Sequence, residues 1–209
     1  MAAGVQTISK DGRGLNFTVA RGQMILVAMT DEVRGDSPFD MIRNLPKNSI
    51  LIFRHYTDPN REQLALRVVR ACRRAKVRCL IAGDVHLARK CKSDGLHFPE
   101  YRLGRLPVRR FMPVHWITTG AAHNLKSVRL IERLGLDAAL LSPVYASLSH
   151  PGAKTLGTRK FTAICRRTNL PVIALGGISA GHFRRLRHAG AQGVAGISLF
   201  SKHRKQRGL

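Results

Sequence analysis

The chain has 209 residues, 44% of them hydrophobic and 6% aromatic, which suits one globular domain and excludes a disordered chain. Its 36 Lys and Arg residues outnumber 12 Asp and Glu, a formal net charge of +24 that attracts phosphate in any form. No apolar run reaches the roughly 18 residues of a membrane span, and MAAGVQTISKDGRG has no signal-peptide block, so a cytoplasmic protein without a membrane partner is the expectation.

Residues 1–20 read as an N-terminal extension, placed ahead of the first strand where it could cover the base of the domain. The domain itself is expected over 21–201, with a basic tail over 202–209. Strand-like runs follow in chain order: MILVAM (24–29), SILIFR (49–54), VRCLIA (77–82), DGLHF (94–98), HWITT (115–119), DAALLS (137–142), PVIAL (171–175) and GVAGI (193–197). Between them, REQLALRVVRACRRA (61–75) and NLKSVRLIERLG (124–135) repeat apolar residues every three or four positions, the period of a helix with one buried face. Strands separated by helices pair in parallel and are covered on both faces, which is why they read as continuous apolar runs. Eight such runs predict a compact α/β fold, a TIM-type (β/α)8 barrel, with a reduced last helix because only a basic tail follows Phe200. The rival, an open doubly wound sheet, would carry a Gly-rich loop after its first strand, whereas MILVAMTDEV continues into acidic residues. Gly135 and Gly190 stand where left-handed caps would end the preceding helices.

Cys72, Cys79, Cys91 and Cys165 form no C-x-x-C pair and fall in helix-like or strand-like segments, as small core residues do. The basic residues are spread along helices, as in RVVRACRRAK and FRRLRHAG, with no zinc-finger or RNP pattern. Solvated helix faces are the simplest reading of that charge, and nonspecific contact with RNA or a membrane surface is the alternative.

In a barrel the chemistry sits at the C-terminal ends of the strands, and the ends of strands seven and eight form the recurrent phosphate corner. Here those ends are Gly176-Gly177 and Gly196-Ile197-Ser198. Backbone N–H groups hold the phosphate at such a corner, glycine lets its oxygens come close, and Ser198 adds a hydroxyl. Simple tight turns are the other explanation of these glycines. On the phosphate reading, Gly177→Val blocks the ligand and leaves the fold largely intact.

LPVIALGGIS followed by HAGAQGVAGIS resembles the strand-seven and strand-eight signature of the thiamine phosphate synthases and the related thiazole tautomerases. DAALLSPVYASLSHPGAKTLG is similar to the sixth strand of that family and its long following loop, and IAGDVHLARKCKSDGLHF and TTGAAHNLKSV match the segments around strands three to five. The resemblance covers roughly residues 24–201 in the family's order. It implies coupling of a phosphorylated thiazole to hydroxymethylpyrimidine diphosphate with release of pyrophosphate, with Mg2+ and basic side chains carrying the leaving-group charge. It also implies substrate contacts from Ser142, His150 and Lys154, and a loop that closes over the pyrimidine.

The departures are as informative. Of the family's strand-two Gln, Arg and Lys only Arg54 remains, the others reading Ile52 and Tyr56. The Asn-Asp after strand three reads Ala82-Gly83, so Asp84 is the carboxylate left for metal, and only if the strand end shifts by one. The second carboxylate is replaced near Arg102, with Glu100 the nearest acid, and the loop lysine is replaced by His150. Those losses resemble the tautomerase branch, whose metal-free proton transfer would fall to His123; that residue otherwise caps the helix beginning at Asn124. Arg54, in the mouth, wants either a ligand anion or an ion pair to Asp31 or Asp84. His97 reads as a packed core residue. Three functions stay open: the synthase reaction with Arg54 and His123 as catalytic groups, thiazole tautomerisation, and a non-catalytic binder of a phosphorylated ligand. Association into a homodimer is open as well.

Overall fold

The structure is a computed structural model and describes residues 5–6, 19–20, 24–33, 36–105, 112–147, 152 and 154–199. Val5–Gln6 pairs antiparallel with Val19–Ala20 ahead of the barrel. Eight parallel strands then close on themselves: β1 (Ile25–Met29), β2 (Ile50–Phe53), β3 (Arg78–Ala82), β4 (Gly95–Phe98), β5 (Ile117–Ala122), β6 (Ala138–Leu141), β7 (Val172–Leu175) and β8 (Gly193–Gly196). Closure is made by β8 against β1, with Gly193 opposite Ile25 and Gly196 opposite Ala28. Six α-helices are described between them: α1 (Pro38–Asn44), α2 (Arg61–Arg74), α3 (Val85–Lys90), α4 (Leu125–Arg133), α5 (Gly157–Cys165) and α6 (Phe183–His188). Among its described residues, the link from β4 to β5 holds a 3-10 turn, Glu100–Arg105. Residues 197–199 after β8 contain no helix, and the basic tail lies outside the described residues.

Alternation along each strand produces two cores. Ile25, Val27, Ile50, Ile52, Leu80, Ile117, Leu140 and Ile173 point into the barrel. Their neighbours, such as Leu51, Phe53, Ile81, Phe98 and Leu141, pack outward against the helices. α2 meets that outer layer with Ala65, Val68, Val69 and Cys72, one helical stripe.

Asn124 starts α4, its Oδ1 accepting from Ser127 N at 3.0 Å while Ser127 Oγ accepts from Asn124 N at 3.3 Å. The cap is therefore Asn124, and the expectation that His123 caps this helix is corrected. After α4 and α6 the chain turns through Gly135 (φ 69°) and Gly190 (φ 97°), as the sequence suggests. After α2 and α3 the same left-handed turn is made by Lys76 (φ 56°) and Lys92 (φ 52°), a conformation costing a side-chain-bearing residue about 1–2 kcal/mol.

Candidate functional site

The C-terminal strand ends gather polar groups into the barrel mouth, beginning at β1 and β2. Thr30 is fully buried and its Oγ1 accepts from Arg54 N at 2.9 Å. Arg54 Nε donates to Thr30 O at 2.8 Å and Nη2 meets Asp31 Oδ2 at 2.9 Å. Arg54 thus forms the ion pair to Asp31 that the sequence left open, and three of the five N–H donors of its guanidinium lie beyond these contacts. Thr30 Oγ1 also lies 3.0 Å from His55 Nδ1, and the His55 ring stacks on Phe53 with centroids 4.8 Å apart. Burial lowers the His55 pKa and so favours its neutral ring beside Thr30.

β3 ends at Ala82, without the shift that would turn Asp84 toward a metal. Asp84 Oδ1 accepts from Leu87 N at 2.9 Å as the N-cap of α3, and Oδ2 pairs with Arg61 Nη1 at 3.1 Å. Arg61 Nη2 donates to Ala82 O at 2.8 Å, while its buried Nε has no partner among the described residues. Arg102 Nη1 donates to Gly83 O. Arg54, Arg61 and Arg102 thus line one side of the mouth. The sequence reading missed Arg61 because it opens α2 and looks like helix surface; the signal was that helices of a barrel begin at the mouth.

His97 on β4 is buried, with Nδ1 2.9 Å from Thr119 Oγ1, and desolvation pushes its pKa down to about 3. It is the packed residue expected. His123 directly follows β5 and is half exposed. Its Nδ1 lies 2.8 Å from Ser142 O, a carbonyl that only accepts, so Nδ1 carries a proton. Nε2 faces Glu100 Oε2 at 3.5 Å. Ser142, His123 and Glu100 therefore form one line across the ends of β6, β5 and β4, with Nε2 the atom left to exchange a proton.

The loop after β6 leans on β7. Val144 N donates to Leu175 O at 2.9 Å and Tyr145 N to Gly176 O at 3.1 Å. Gly176 and Gly177 have φ of 95° and 64°, and a Cβ on Gly177 would lie 2.2 Å from Ala146 O. What approaches the double glycine is thus the backbone of residues 145–146. The expectation that Gly177→Val leaves the fold intact is corrected accordingly. The N–H groups of Gly177, Ile197 and Ser198 meet no protein acceptor among the described residues. Gly196 ends β8, Ile197 packs on the inner barrel core, and Ser198 is exposed. Leu156 N to Pro143 O (3.0 Å) and Gly157 N to Val144 O (2.9 Å) tie the base of the loop. Lys154 is exposed beside that base, and His150 lies outside the described residues.

A closed eight-stranded parallel barrel with its polar groups collected at one end defines a (β/α)8-barrel protein with its site at the C-terminal mouth. Residues 26–200 match the family model of thiamine monophosphate synthase, and the chain belongs to that family. It is 30% identical over 180 residues to a putative thiamine-phosphate synthase 2 of Aquifex aeolicus, covering 84% of this chain and 96% of that protein. A thiamine-phosphate synthase of Coprothermobacter proteolyticus is 29% identical over 136 residues, 65% of this chain and 64% of that one. Among solved structures, thiamine phosphate pyrophosphorylase from Pyrococcus furiosus superposes with a TM-score of 0.70 at 19% identity, over 84% of this chain and 86% of that one. That likeness shows the fold. No described helix is long and apolar enough to cross a membrane.

The carboxylates do not fit the magnesium site that the resemblance implies. Both Asp84 oxygens are engaged, Glu100 faces His123, and no cluster of three or more His, Cys, Asp or Glu among the described residues is arranged around a common point.

Proposed function

We propose that the chain works in thiamine synthesis, holding a phosphorylated thiazole at the barrel mouth and coupling it to hydroxymethylpyrimidine diphosphate with release of pyrophosphate. The observation that carries this reading is the set of N–H donors on Gly177, Ile197 and Ser198, which follow β7 and β8 and meet no protein acceptor among the described residues. A phosphate supplies the missing acceptors, and the Ser198 hydroxyl adds a donor. The family reaction draws on Mg2+ for its diphosphate, but no step is assigned to metal in this chain. Arg54, Arg61 and Arg102 bring guanidinium groups to the opposite side of the mouth, suited to a departing diphosphate. Loss of the diphosphate leaves a pyrimidine cation, which the thiazole nitrogen captures; the residues position the two partners and stabilise the leaving charge.

One observation favours a second reading, the tautomerase reaction. The proton on His123 Nδ1 is fixed by Ser142 O, so Nε2 is the defined acid–base atom for moving a proton on a bound thiazole. A single incubation separates the two. Purified protein, hydroxymethylpyrimidine diphosphate, thiazole phosphate and MgCl2 are expected to yield thiamine phosphate, followed by chromatography, with at least about a 100-fold loss in Arg54→Ala. Absence of product from folded protein overturns the coupling reaction. Turnover of a thiazole carboxylate phosphate, lost in His123→Gln, then establishes the second reading. Thermal stabilisation by thiazole phosphate without either turnover leaves a binder.

A further inference from the structure

We propose that the base of the barrel, the end away from the mouth, is a binding surface for the phosphodiester backbone of RNA. Helices in this fold descend from the mouth, so their C-termini meet the starts of the strands at the base. At the α1–β2, α2–β3 and α3–β4 joints those ends carry Lys47, Arg73, Arg74, Lys76, Arg78 and Lys92, all exposed. The joints adjoin one another: Asn48 N donates to Lys76 O at 2.8 Å, Arg78 N to Ser49 O at 2.9 Å, and Arg73 Nη2 to Lys92 O at 3.1 Å. One carboxylate stands among the six cations. Asp94 lies 3.7 Å from Arg78 Nη1 and shares its charge with Cys79 N, which donates to it at 2.8 Å.

Helix dipoles account for a cation in a last turn. They do not account for Lys76 and Lys92, which lie past the ends of α2 and α3 at φ 56° and 52°. The equivalent turns after α4 and α6 use Gly135 and Gly190, the residue type that adopts this conformation without strain. Local folding therefore selects against lysine at both positions, and a use for the charge explains its presence. The acidic residues add direction: Asp31, Glu32, Asp58, Asp84 and Glu100 all follow strands at the mouth, whereas Asp94, Glu132 and Asp137 at the base are each engaged by neighbouring N–H or hydroxyl groups.

Arg73, Arg74 and Arg78 offer planar forks that match phosphate oxygens in pairs. A membrane surface would also want apolar side chains to insert. Of the large apolar residues exposed among those described, Val33, Tyr56 and Tyr101 follow strands at the mouth, and only Val114 lies at the base.

The test uses the full chain and a fluorescein-labelled single-stranded RNA of about 20 nucleotides, read by anisotropy across a KCl series. Affinity is expected to fall linearly on a log–log plot. The Lys76→Gly/Lys92→Gly pair removes two charges while relieving the backbone, and should flatten the slope by about 1.4 and weaken binding about tenfold at low salt. Lys76→Asn/Lys92→Asn gives the same readout should glycine loosen the joints, because asparagine also tolerates this conformation. A charge-matched control, Lys126→Gln/Lys160→Gln, should leave slope and affinity unchanged. Equal weakening by the control overturns the proposal in favour of overall charge, and unchanged binding by both base variants overturns it outright. Base variants that lose sedimentation with phosphatidylserine vesicles but keep RNA affinity overturn it in favour of a membrane surface.

Discussion

His97 is enclosed within the barrel against Thr119, and its pKa of about 3 in the folded chain lies far below the roughly 6.5 of an unfolded histidine. A depressed histidine pKa means that the unfolded state binds the proton first, so stability is full above about pH 6.5 and drains away as pH falls toward 3. His97 alone should therefore remove about 2 kcal/mol between about pH 7 and pH 5, and His55, lowered by burial, should add to the loss. Urea unfolding at the two pH values measures this, and His97→Gln should flatten the dependence. Gly177 is constrained differently. Its left-handed φ and the 2.2 Å approach of Ala146 O to a would-be Cβ leave no room for any side chain. Gly177→Ala is expected to cost about 1–3 kcal/mol in a thermal melt by forcing residues 145–146 away from β7.

At the scale of elements, α3 is a helix of six residues whose start depends on Asp84. Asp84→Ala removes the bond to Leu87 N and the partner of Arg61, and should lower stability by about 1–2 kcal/mol in urea unfolding. Asp84→Asn keeps a capping oxygen and should lose less. The strands were legible because parallel strands buried on both faces read as apolar runs. β5 was drawn over 115–119 and forms over 117–122, because pairing with β4 and β6 outweighs the weak strand preference of Gly120, Ala121 and Ala122. The double glycine announced a close approach, but the carbonyl of Ala146 that meets Gly177 belongs to a distant stretch of the chain and leaves no local mark. The same holds for His123: its place after a strand was visible, whereas its partners Ser142 and Glu100 come from two other strands. Asp84 looked like a stray metal ligand because helix capping and metal binding use the same side chain.

Over the whole molecule, a formal charge of +24 repels itself in the compact state. Raising KCl from about 20 mM to about 300 mM shortens the Debye length from about 20 Å to about 6 Å, and the melting temperature should rise by a few degrees. A flat or falling trend would show that the paired arginines at the mouth already balance the repulsion. The barrel also keeps its two ends independent: strand ends carry the reactive groups, while strand starts carry Asp94 and Asp137, which accept from Cys79 N and from Thr118 N. The pinned base of the loop after β6 has a practical consequence. Because Leu156 and Gly157 are tied back to Pro143 and Val144, and Tyr145 and Ala146 lean on the double glycine, those anchors do not depend on how much chain runs after Ala146 and before Leu156. Extra residues inserted there add only the entropy of a longer closure, about 0.6 kcal/mol for each doubling in length. A peptide grafted there should leave the fold standing while it disturbs the substrate contacts expected of His150 and Lys154, so folding and turnover can be separated in one variant.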